Sequence, residues 1–361
     1  MTPSPKPGVL DIAPYVGAPI AAGSADRIDL SSNESPLGPS PVAAAAYEEA
    51  LRSISLYPDG SCSVLRRAIA ESFDVDAAHI VCGNGSNEIL SLIANAYVQP
   101  GEEVMFSEHA FIVYKLAALS HSGVPLAVPE RARCADVDAM LSAVTPKTRL
   151  VYLANPNNPT GTMLPREEVR RLQAGLGADV LLVIDAAYAE YVGRDEYEDG
   201  LEMVERCPNV VMTRTFSKVY GLAGLRVGWA YCPEPIADVL NRVRDPFNVS
   251  LPAQRAAAAA IADQDYVRRA VDHNHYWRNW TVQALRGVGL KVGDSLGNFV
   301  LVEFPRQAGK TAQDAHRFLC ERGLVLRPVA NYGLPDCLRM TIGSEQANRK
   351  VAAVLGEFMS G

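Results

Sequence analysis

Three apolar segments in the middle of the chain constrain its fold more than any other feature. They are RLVYLA at residues 149–154, VLLVI at 180–184 and NVVMT at 209–213. Each is apolar at consecutive positions, which is typical of a strand that is covered on both faces of its sheet. Because helical segments lie between them, the pattern predicts an α/β fold with a mostly parallel central sheet flanked by helices.

The 361-residue chain divides by composition and pattern into three parts. Residues 1–40 are rich in Pro, Gly and Ser and predict an extended N-terminal arm. Residues 41–250 carry the alternating strands and helices of a large domain. Residues 251–361 start with helical segments, including a long candidate helix at 264–290, and continue with strands, which predicts a smaller α+β domain with a partly antiparallel sheet. We expect the arm to pack with this small domain or with a partner subunit.

Composition and charge argue against several classes of protein. Hydrophobic residues make up 48% of the chain and charged residues 21%, so a large core can form. The net charge of −7 argues against a nucleic-acid-binding or anionic-membrane surface. Seven scattered cysteines without a C-x-x-C motif, and six histidines without ligand spacing, predict reduced thiols in the cytoplasm and no metal site. No segment predicts a signal peptide or a membrane span.

The most specific pattern is the string TFSKVYGLAGLRVGW, which follows the third apolar strand. Lys218 lies there among small and apolar residues, where an ordinary solvated lysine is not expected. Its amine could form an imine with an aldehyde and then shuttle a proton. The hydroxyls of Thr215 and Ser217 and the guanidinium of Arg226 could surround a phosphate group.

Two other strand ends carry polar groups. Asp185, in VIDAAYAEY, closes an apolar strand and therefore needs a partner. It could pair with the pyridinium nitrogen of a cofactor, or it could cap the next helix. Tyr188 could reach an oxygen of the same ring or belong to the core. Asn158, in the rigid loop NPNNPTG, could donate a hydrogen bond to that oxygen. The alternative, that this loop is a plain turn, is less favoured.

Three weaker patterns leave their alternatives open. The string GNGSNEIL could bind a phosphate at a helix N-terminus, although an ordinary helix start has the same pattern. Phe111 or Tyr114 could stack on a cofactor ring or pack in the core. Arg327 and Arg339 could bind a carboxylate or form surface salt bridges.

Together these strings resemble the fold-type I pyridoxal-phosphate enzymes of the aspartate-aminotransferase superfamily. The matching strings, in chain order, are NPNNPTG, VIDAAYAEY, TFSKVYGLAGLRVGW and CLRMTIG. Within that superfamily the chain is similar to the histidinol-phosphate aminotransferase family, through IAPYVGAP, LSSNESPLGPSP, LYPDGS, GNGSNEIL and LRPVANYGLP. The resemblance covers nearly the whole chain. It implies a fold-type I α/β architecture, pyridoxal 5'-phosphate as cofactor and a homodimer with shared active sites.

The resemblance also implies a role for each matching residue. Lys218 would hold the cofactor as an imine and move the proton at Cα, and Asp185 would pair with the pyridine nitrogen. Asn158 and Tyr188 would bind the phenolate oxygen. The residues around the phosphate would be Gly85, Ser86, Asn87, Thr215, Ser217, Arg226 and, from the other subunit, Tyr57. Arg339 would bind the carboxylate of glutamate. Tyr15 and Arg327 would bind the phosphate of histidinol phosphate, and Asn33 would lie near the substrate.

One departure concerns the aromatic residue that stacks on the ring. The Pro-x-aromatic string of the family is replaced here by His109-Ala110-Phe111. We expect Phe111 to be the stacking residue, with Tyr114 behind it.

The implied reaction is the reversible transfer of an amino group between L-histidinol phosphate and 2-oxoglutarate, giving imidazole-acetol phosphate and L-glutamate, in histidine biosynthesis. Three alternatives remain at this point. They are an aminotransferase for phenylalanine or tyrosine, a decarboxylase acting on threonine phosphate, and a non-catalytic protein that keeps the fold. The joint presence of Lys218, Asp185, Asn158 and Arg226 argues against the last.

Overall fold

The computed structural model describes residues 3–14 and 27–361. Its strands are β1 (Ile28–Leu30), β2 (Ile80–Gly83), β3 (Glu103–Ser107), β4 (Val124–Val128), β5 (Glu130–Arg131), β6 (Cys134–Ala135), β7 (Thr148–Ala154), β8 (Leu181–Asp185), β9 (Val210–Thr215), β10 (Gly228–Tyr231), β11 (Lys291–Val292), β12 (Phe299–Glu303), β13 (Leu324–Pro328) and β14 (Cys337–Thr341). Its α-helices are α1 (Pro41–Ala50), α2 (Ser63–Phe73), α3 (Ser86–Tyr97), α4 (Val113–Ser120), α5 (Val137–Ala143), α6 (Arg166–Gly175), α7 (Leu201–Arg206), α8 (Glu234–Val243), α9 (Leu251–Ala262), α10 (Gln264–Gly287), α11 (Ala312–Cys320) and α12 (Glu345–Ser360).

A seven-stranded sheet forms the larger layer, in the order β2-β10-β9-β8-β7-β3-β4. The neighbours from β9 to β4 are parallel, and β10 is antiparallel to both of its neighbours. The three apolar segments of the sequence are β7, β8 and β9, which confirms the predicted parallel sheet. In register, Ala154 lies beside Asp185 and Asp185 beside Thr213. The carboxyl ends of these strands therefore meet at one edge, where ligands bind in such sheets.

A five-stranded sheet has the order β1-β13-β14-β12-β11. The pair β1–β13 is parallel and the other pairs are antiparallel, which confirms the predicted mixed character of this sheet. Strand β1 comes from the N-terminal segment, so residues near both ends of the chain lie side by side. Apolar side chains of α12, including Val351 and Leu355, pack with this sheet in a core of their own.

The helices after residue 250 pack in two different places. Helix α9, which the sequence assigns to the small domain, buries Ala253, Ala257 and Ile261 in the core of the seven-stranded sheet. Helix α10 ends at Gly287, three residues before the predicted end, and Gly289 follows with a φ of +86°. A glycine in this left-handed conformation stops a helix at little cost. Within residues 3–14 and 27–361, none of the helices is long and apolar enough to cross a membrane.

Candidate active site

A cavity of about 580 Å³ lies between the carboxyl ends of the parallel strands and the five-stranded sheet. Its volume is typical of a small-molecule site. It brings together most residues singled out in the sequence, namely Asn33, Ser86, Asn87, Phe111, Tyr114, Asn158, Asp185, Tyr188, Thr215, Ser217, Lys218, Arg226, Arg327 and Arg339. The patterns that follow separate strands therefore converge on one site.

Asp185 ends β8 and is only 5% exposed. Its Oδ2 accepts a hydrogen bond from the Tyr114 hydroxyl over 2.8 Å, and its Oδ1 accepts one from the Thr213 hydroxyl over 3.3 Å. Burial raises the pKa of Asp185, while these two hydrogen bonds act in the opposite direction. Because a buried carboxylate needs a cationic partner, this position suits a positively charged group in the cavity.

The amine of Lys218 lies in the same cavity, and the half-buried Lys218 is flanked by buried residues of the loop that follows β9. Its Nζ donates to the backbone carbonyl oxygen of Ser32 over 3.2 Å and lies 5.9 Å from the centre of the Tyr188 ring. Burial, together with the positive charges of Arg339 and Arg226, lowers the pKa of Lys218 from 10.5 to about 7. A large fraction of the amine is therefore uncharged near neutral pH and can act as a nucleophile.

Tyr188 follows β8 and is held by the N-terminal segment. Nδ2 of Asn33 donates to the Tyr188 hydroxyl over 2.8 Å, and the backbone N–H of Asn33 donates to the Thr341 hydroxyl of β14 over 2.9 Å. Asn33 has a φ of +57°, a conformation that asparagine tolerates better than most residues. Burial raises the pKa of Tyr188 to about 12. The hydroxyl therefore keeps its proton at neutral pH and can donate a hydrogen bond.

Arg339 fixes the direction of Asn158. Its Nη1 donates to Asn158 Oδ1 over 2.5 Å, and its Nη2 donates to the backbone carbonyl oxygen of Ser31 over 2.5 Å. A guanidinium only donates, so the oxygen of the Asn158 side chain must face it. The amide NH₂ of Asn158 is then turned away from Arg339, as a donor for another group. Arg327 lies opposite Arg339 in the register of β13 and β14 and lines the same cavity.

A group of donors surrounds the N-terminus of α3. Gly85 caps this helix with a φ of +82°, and a Cβ there would overlap Nη2 of Arg226. A Cβ at Gly228 would lie 2.5 Å from the backbone nitrogen of Ser86. The Arg226 guanidinium also donates from Nη1 to Ser217 Oγ over 3.2 Å. A helix N-terminus, an arginine and hydroxyls that lie this close together are donors that suit an anion such as phosphate.

The two aromatic candidates lie in different environments. Phe111 is half-buried and lines the cavity. Tyr114 is fully buried, stacks on Tyr152 with ring centres 4.7 Å apart and uses its hydroxyl on Asp185. Its ring meets that of Phe111 edge-on at 5.9 Å. Tyr114 thus lies behind Phe111 in contact with the carboxylate, and Phe111 is the aromatic that is open to a ligand.

Among the residues that the structure describes, the predicted residue Tyr57 does not line this cavity. Tyr57 is 83% exposed and stacks on Phe247, with ring centres 4.8 Å apart. Its expected contact with a partner subunit's site stays a prediction. Tyr15 lies outside the described residues.

Several cavity residues were missed by the sequence analysis. Ser32 and Glu34 flank Asn33, and Tyr332 lies in the turn between β13 and β14. Glu34 opposes the fall in the Lys218 pKa through its negative charge. The strings LSSNESPLGPSP and LRPVANYGLP contain these residues, so position within a matched string was the available signal.

Comparisons with known proteins identify the family to which the chain belongs. The family model "Aminotransferase class I and II" matches residues 25–355. A curated relative from Paramagnetospirillum magneticum, named histidinol-phosphate aminotransferase, is 52% identical over 99% of both chains. One from Rhodopseudomonas palustris with the same name is 52% identical over 99% of this chain and 98% of the relative.

Solved structures give the same architecture. The histidinol-phosphate aminotransferase from Sinorhizobium meliloti, crystallised with pyridoxal 5'-phosphate, is 30% identical and superposes with a TM-score of 0.86 over 92% of this chain and 91% of that chain. A Thermus thermophilus aspartate aminotransferase shares the fold, with a TM-score of 0.83 over 92% of both chains at 22% identity. The architecture is the fold-type I architecture that the resemblance predicted. The chain therefore belongs to the class I and II aminotransferases, within the histidinol-phosphate aminotransferase family.

Proposed function

We propose that this aminotransferase uses pyridoxal 5'-phosphate to transfer an amino group between L-histidinol phosphate and 2-oxoglutarate, in histidine biosynthesis. The products in this direction are imidazole-acetol phosphate and L-glutamate. The observation that carries the proposal is the pair of arginines, Arg327 and Arg339, that lines the same cavity as Lys218. Two guanidiniums suit substrates that carry a phosphate or carboxylates. The names of relatives that are 52% identical over nearly their full length agree with this choice.

The residues of the cavity fit the proposed cofactor. The tight approach of Gly85 and Gly228 to Arg226 and Ser86 makes a compact anion site for its phosphate. The buried Asp185 at the other strand end suits its pyridinium nitrogen. When bound, pyridoxal phosphate supplies an aldehyde that condenses with amines and a ring that delocalises the electron pair at the substrate Cα.

Lys218 would act as the covalent anchor and as the acid and base. Its lowered pKa leaves a neutral amine that can attack an aldehyde and later accept the proton from the substrate Cα. Tyr188 and Asn158 would hold the phenolate oxygen with a hydroxyl and an amide donor. Asp185, kept in place by Tyr114, would stabilise the positive charge on the ring nitrogen.

Arg339 and Arg327 would bind different groups of the substrates. The bonds from Arg339 to Asn158 and Ser31 hold its guanidinium beside the residue that would bind the phenolate oxygen, and Arg339 would bind the carboxylate of glutamate. Arg327 would bind the phosphate of histidinol phosphate. The described arm contributes Asn33 to the wall of the site.

We further infer a homodimer in which Tyr57 reaches the phosphate site of the partner subunit. The support is an exposed apolar group around Tyr57, with Leu56 68% and Ile54 62% exposed. Such a group is typical of a surface covered by a partner. Mixing Tyr57→Ala with Lys218→Ala subunits should produce hybrids with one complete site and a restored cofactor affinity. Unchanged cofactor affinity in the Tyr57→Ala homodimer would contradict this role.

We also propose that the enzyme works in the cytoplasm. All seven cysteines are free thiols, and six of them are buried or half-buried. A reducing compartment would keep them so.

A scan of half-reactions tests the function. The holoenzyme is mixed separately with histidinol phosphate, glutamate, phenylalanine and threonine phosphate, and the cofactor absorbance is followed. We expect rapid conversion to the pyridoxamine form with the first two. Conversion with phenylalanine but not with histidinol phosphate would reject the substrate assignment. Carbon dioxide release from threonine phosphate without a keto acid would indicate a decarboxylase.

A further inference from the structure

His109 joins three segments of the active site. Its Nδ1 lies 2.6 Å from the backbone carbonyl oxygen of Tyr332 and donates to it. Its backbone N–H donates to Glu130 Oε1 over 3.2 Å, and its backbone carbonyl oxygen accepts from Asn157 Nδ2 over 3.3 Å. The proposed function assigns no role to this side chain.

Two of these partners, Tyr332 and Asn157, lie in different parts of the fold. Tyr332 belongs to the turn between β13 and β14, which connects the strands of Arg327 and Arg339. Asn157 lies in the loop after β7, next to Asn158. His109 itself comes two residues before Phe111. One imidazole therefore connects the wall of the cavity that belongs to the five-stranded sheet with the wall that belongs to the seven-stranded sheet.

The turn at residues 330–334 is shaped to receive this ring. Gly333 has a φ of +76°, and a Cβ there would lie 3.3 Å from the His109 ring. Ile112, from the same segment as His109, packs against the apolar cluster that includes Tyr332 and Leu334. The hydrogen bond thus sits at the edge of a close apolar contact, where it can fix the turn in one position.

The sequence departs from the related Pro-x-aromatic string at this position. A proline has no N–H for Glu130 and no side-chain donor for Tyr332. The bond to Glu130 therefore requires a residue other than proline, and the bond to Tyr332 requires the imidazole that this chain carries.

We propose that His109 is a positioning residue that holds the turn at residues 330–334 and thereby sets the selectivity of the site for the phosphorylated substrate. Arg339 does not depend on it, because Asn158 and Ser31 hold that guanidinium. Tyr332 and Arg327 line the part of the cavity on the side of the turn. Loss of the bond should therefore affect histidinol phosphate more than glutamate. The inference rests on the proposed function.

The experiment compares both half-reactions in His109→Ala, His109→Asn and wild-type holoenzyme. In the alanine variant we expect kcat/KM for histidinol phosphate to fall about tenfold through KM, as for a lost hydrogen bond at a binding wall. The glutamate half-reaction should stay within about twofold of wild type. The asparagine Nδ2 can replace the donor, so this variant should recover most of the loss. The matched control is His121→Ala, a half-buried histidine that contacts Ser91 over 3.1 Å and does not line the cavity.

Equal losses in both half-reactions would show that His109 is merely structural and would overturn the proposal, as would no change in either. Gly333→Ala provides a second test that leaves the imidazole in place, since its Cβ presses on the ring. It should shift selectivity in the same direction, and unchanged selectivity in a folded Gly333→Ala enzyme would contradict the inference. Wild-type enzyme that does not turn over histidinol phosphate would instead reject the proposed function itself.

Discussion

The hydroxyl of Tyr114 donates a hydrogen bond to Oδ2 of Asp185 over 2.8 Å, while its ring stacks on Tyr152. Tyr114 is completely buried, so it can hold the carboxylate in one orientation. Tyr114, which was one of the two candidates for stacking on the cofactor ring, therefore holds Asp185, the carboxylate that would stabilise positive charge on the ring nitrogen.

Tyr114→Phe should lower kcat about tenfold, because a hydrogen bond to a charged group is lost while the ring stays packed. The loss should also raise the pKa of Asp185 further, since this hydrogen bond is one of the factors that lower it. Steady-state rates and the pH dependence of the cofactor spectrum measure both effects. Tyr152→Phe is the matched control, because that hydroxyl bonds to the Leu90 carbonyl oxygen and not to Asp185. An equal loss of rate in both variants would contradict the assignment.

The rate at which apoenzyme captures pyridoxal phosphate should rise with pH and level off above about pH 7, the pKa of Lys218. Only the neutral amine attacks the aldehyde. Arg339→Gln removes one of the positive charges that lower this pKa, so the midpoint should move to higher pH. Arg306→Gln, an exposed arginine paired with Asp336, serves as the control. An unshifted midpoint in Arg339→Gln would argue against the electrostatic cause.

The same pKa has a consequence for stability. The native apoenzyme binds fewer protons at Lys218 than the unfolded chain does between about pH 7 and 10.5. The free energy of unfolding contributed by this group therefore increases as pH rises through that window, so the native state becomes more stable. In Lys218→Met apoenzyme this part of the pH dependence should disappear, as thermal unfolding across the window would show.

Gly85→Ala should weaken the affinity for pyridoxal phosphate by at least about tenfold, because the new Cβ displaces Arg226 and strains a backbone with positive φ. Equilibrium titration of apoenzyme with the cofactor measures this. Gly287→Ala, where a Cβ meets nothing within 4 Å, should leave the affinity unchanged. Wild-type affinity in Gly85→Ala would show that the close approach is not needed.

A buried ion pair beneath the site should matter for stability. Arg214 of β9 pairs with Glu190 over 3.1 Å and also with Asp199, and its side chain is 6% exposed. Arg214→Met leaves the buried carboxylate of Glu190 without its cationic partner and should lower the free energy of unfolding by about 3–5 kcal/mol in urea titrations. Arg242→Met breaks an exposed pair with Asp238 and should cost less than about 1 kcal/mol. Similar losses in the two variants would contradict the role of burial.

The large sheet and the centre of the site follow from local sequence. Strands covered on both faces are apolar at every position, so β7, β8 and β9 are recognisable, and the polar residue at each end stands out against them. Asp185, Lys218 and Asn158 were found in this way, with strings that match a known family. These signals need no knowledge of which strands are neighbours.

The wall of the cavity that is formed by the N-terminal segment and the five-stranded sheet could not be predicted in the same way. Ser31 and Arg339 are 308 positions apart in the chain, and His109 and Tyr332 are 223 apart. Such contacts depend on how β1 and β14 pack in the five-stranded sheet, which no local pattern specifies. The hydrogen bond from Tyr114 to Asp185 has the same origin, because the expectation that Tyr114 lies behind Phe111 does not say which group its hydroxyl contacts.

The position of β1 beside β13 has a consequence for the order in which the enzyme matures. The groups that would hold the cofactor lie on β2, α3, β7, β8, β9 and the loops that follow them, all of which leave the ribosome before β13 and β14. The segment after β1 is made before all of these, yet its hydrogen bonds to Thr341 and Arg339 can form only after β14 has been made. The residues that would bind the cofactor are thus all made before the wall that contains Asn33 and Arg339 can be completed.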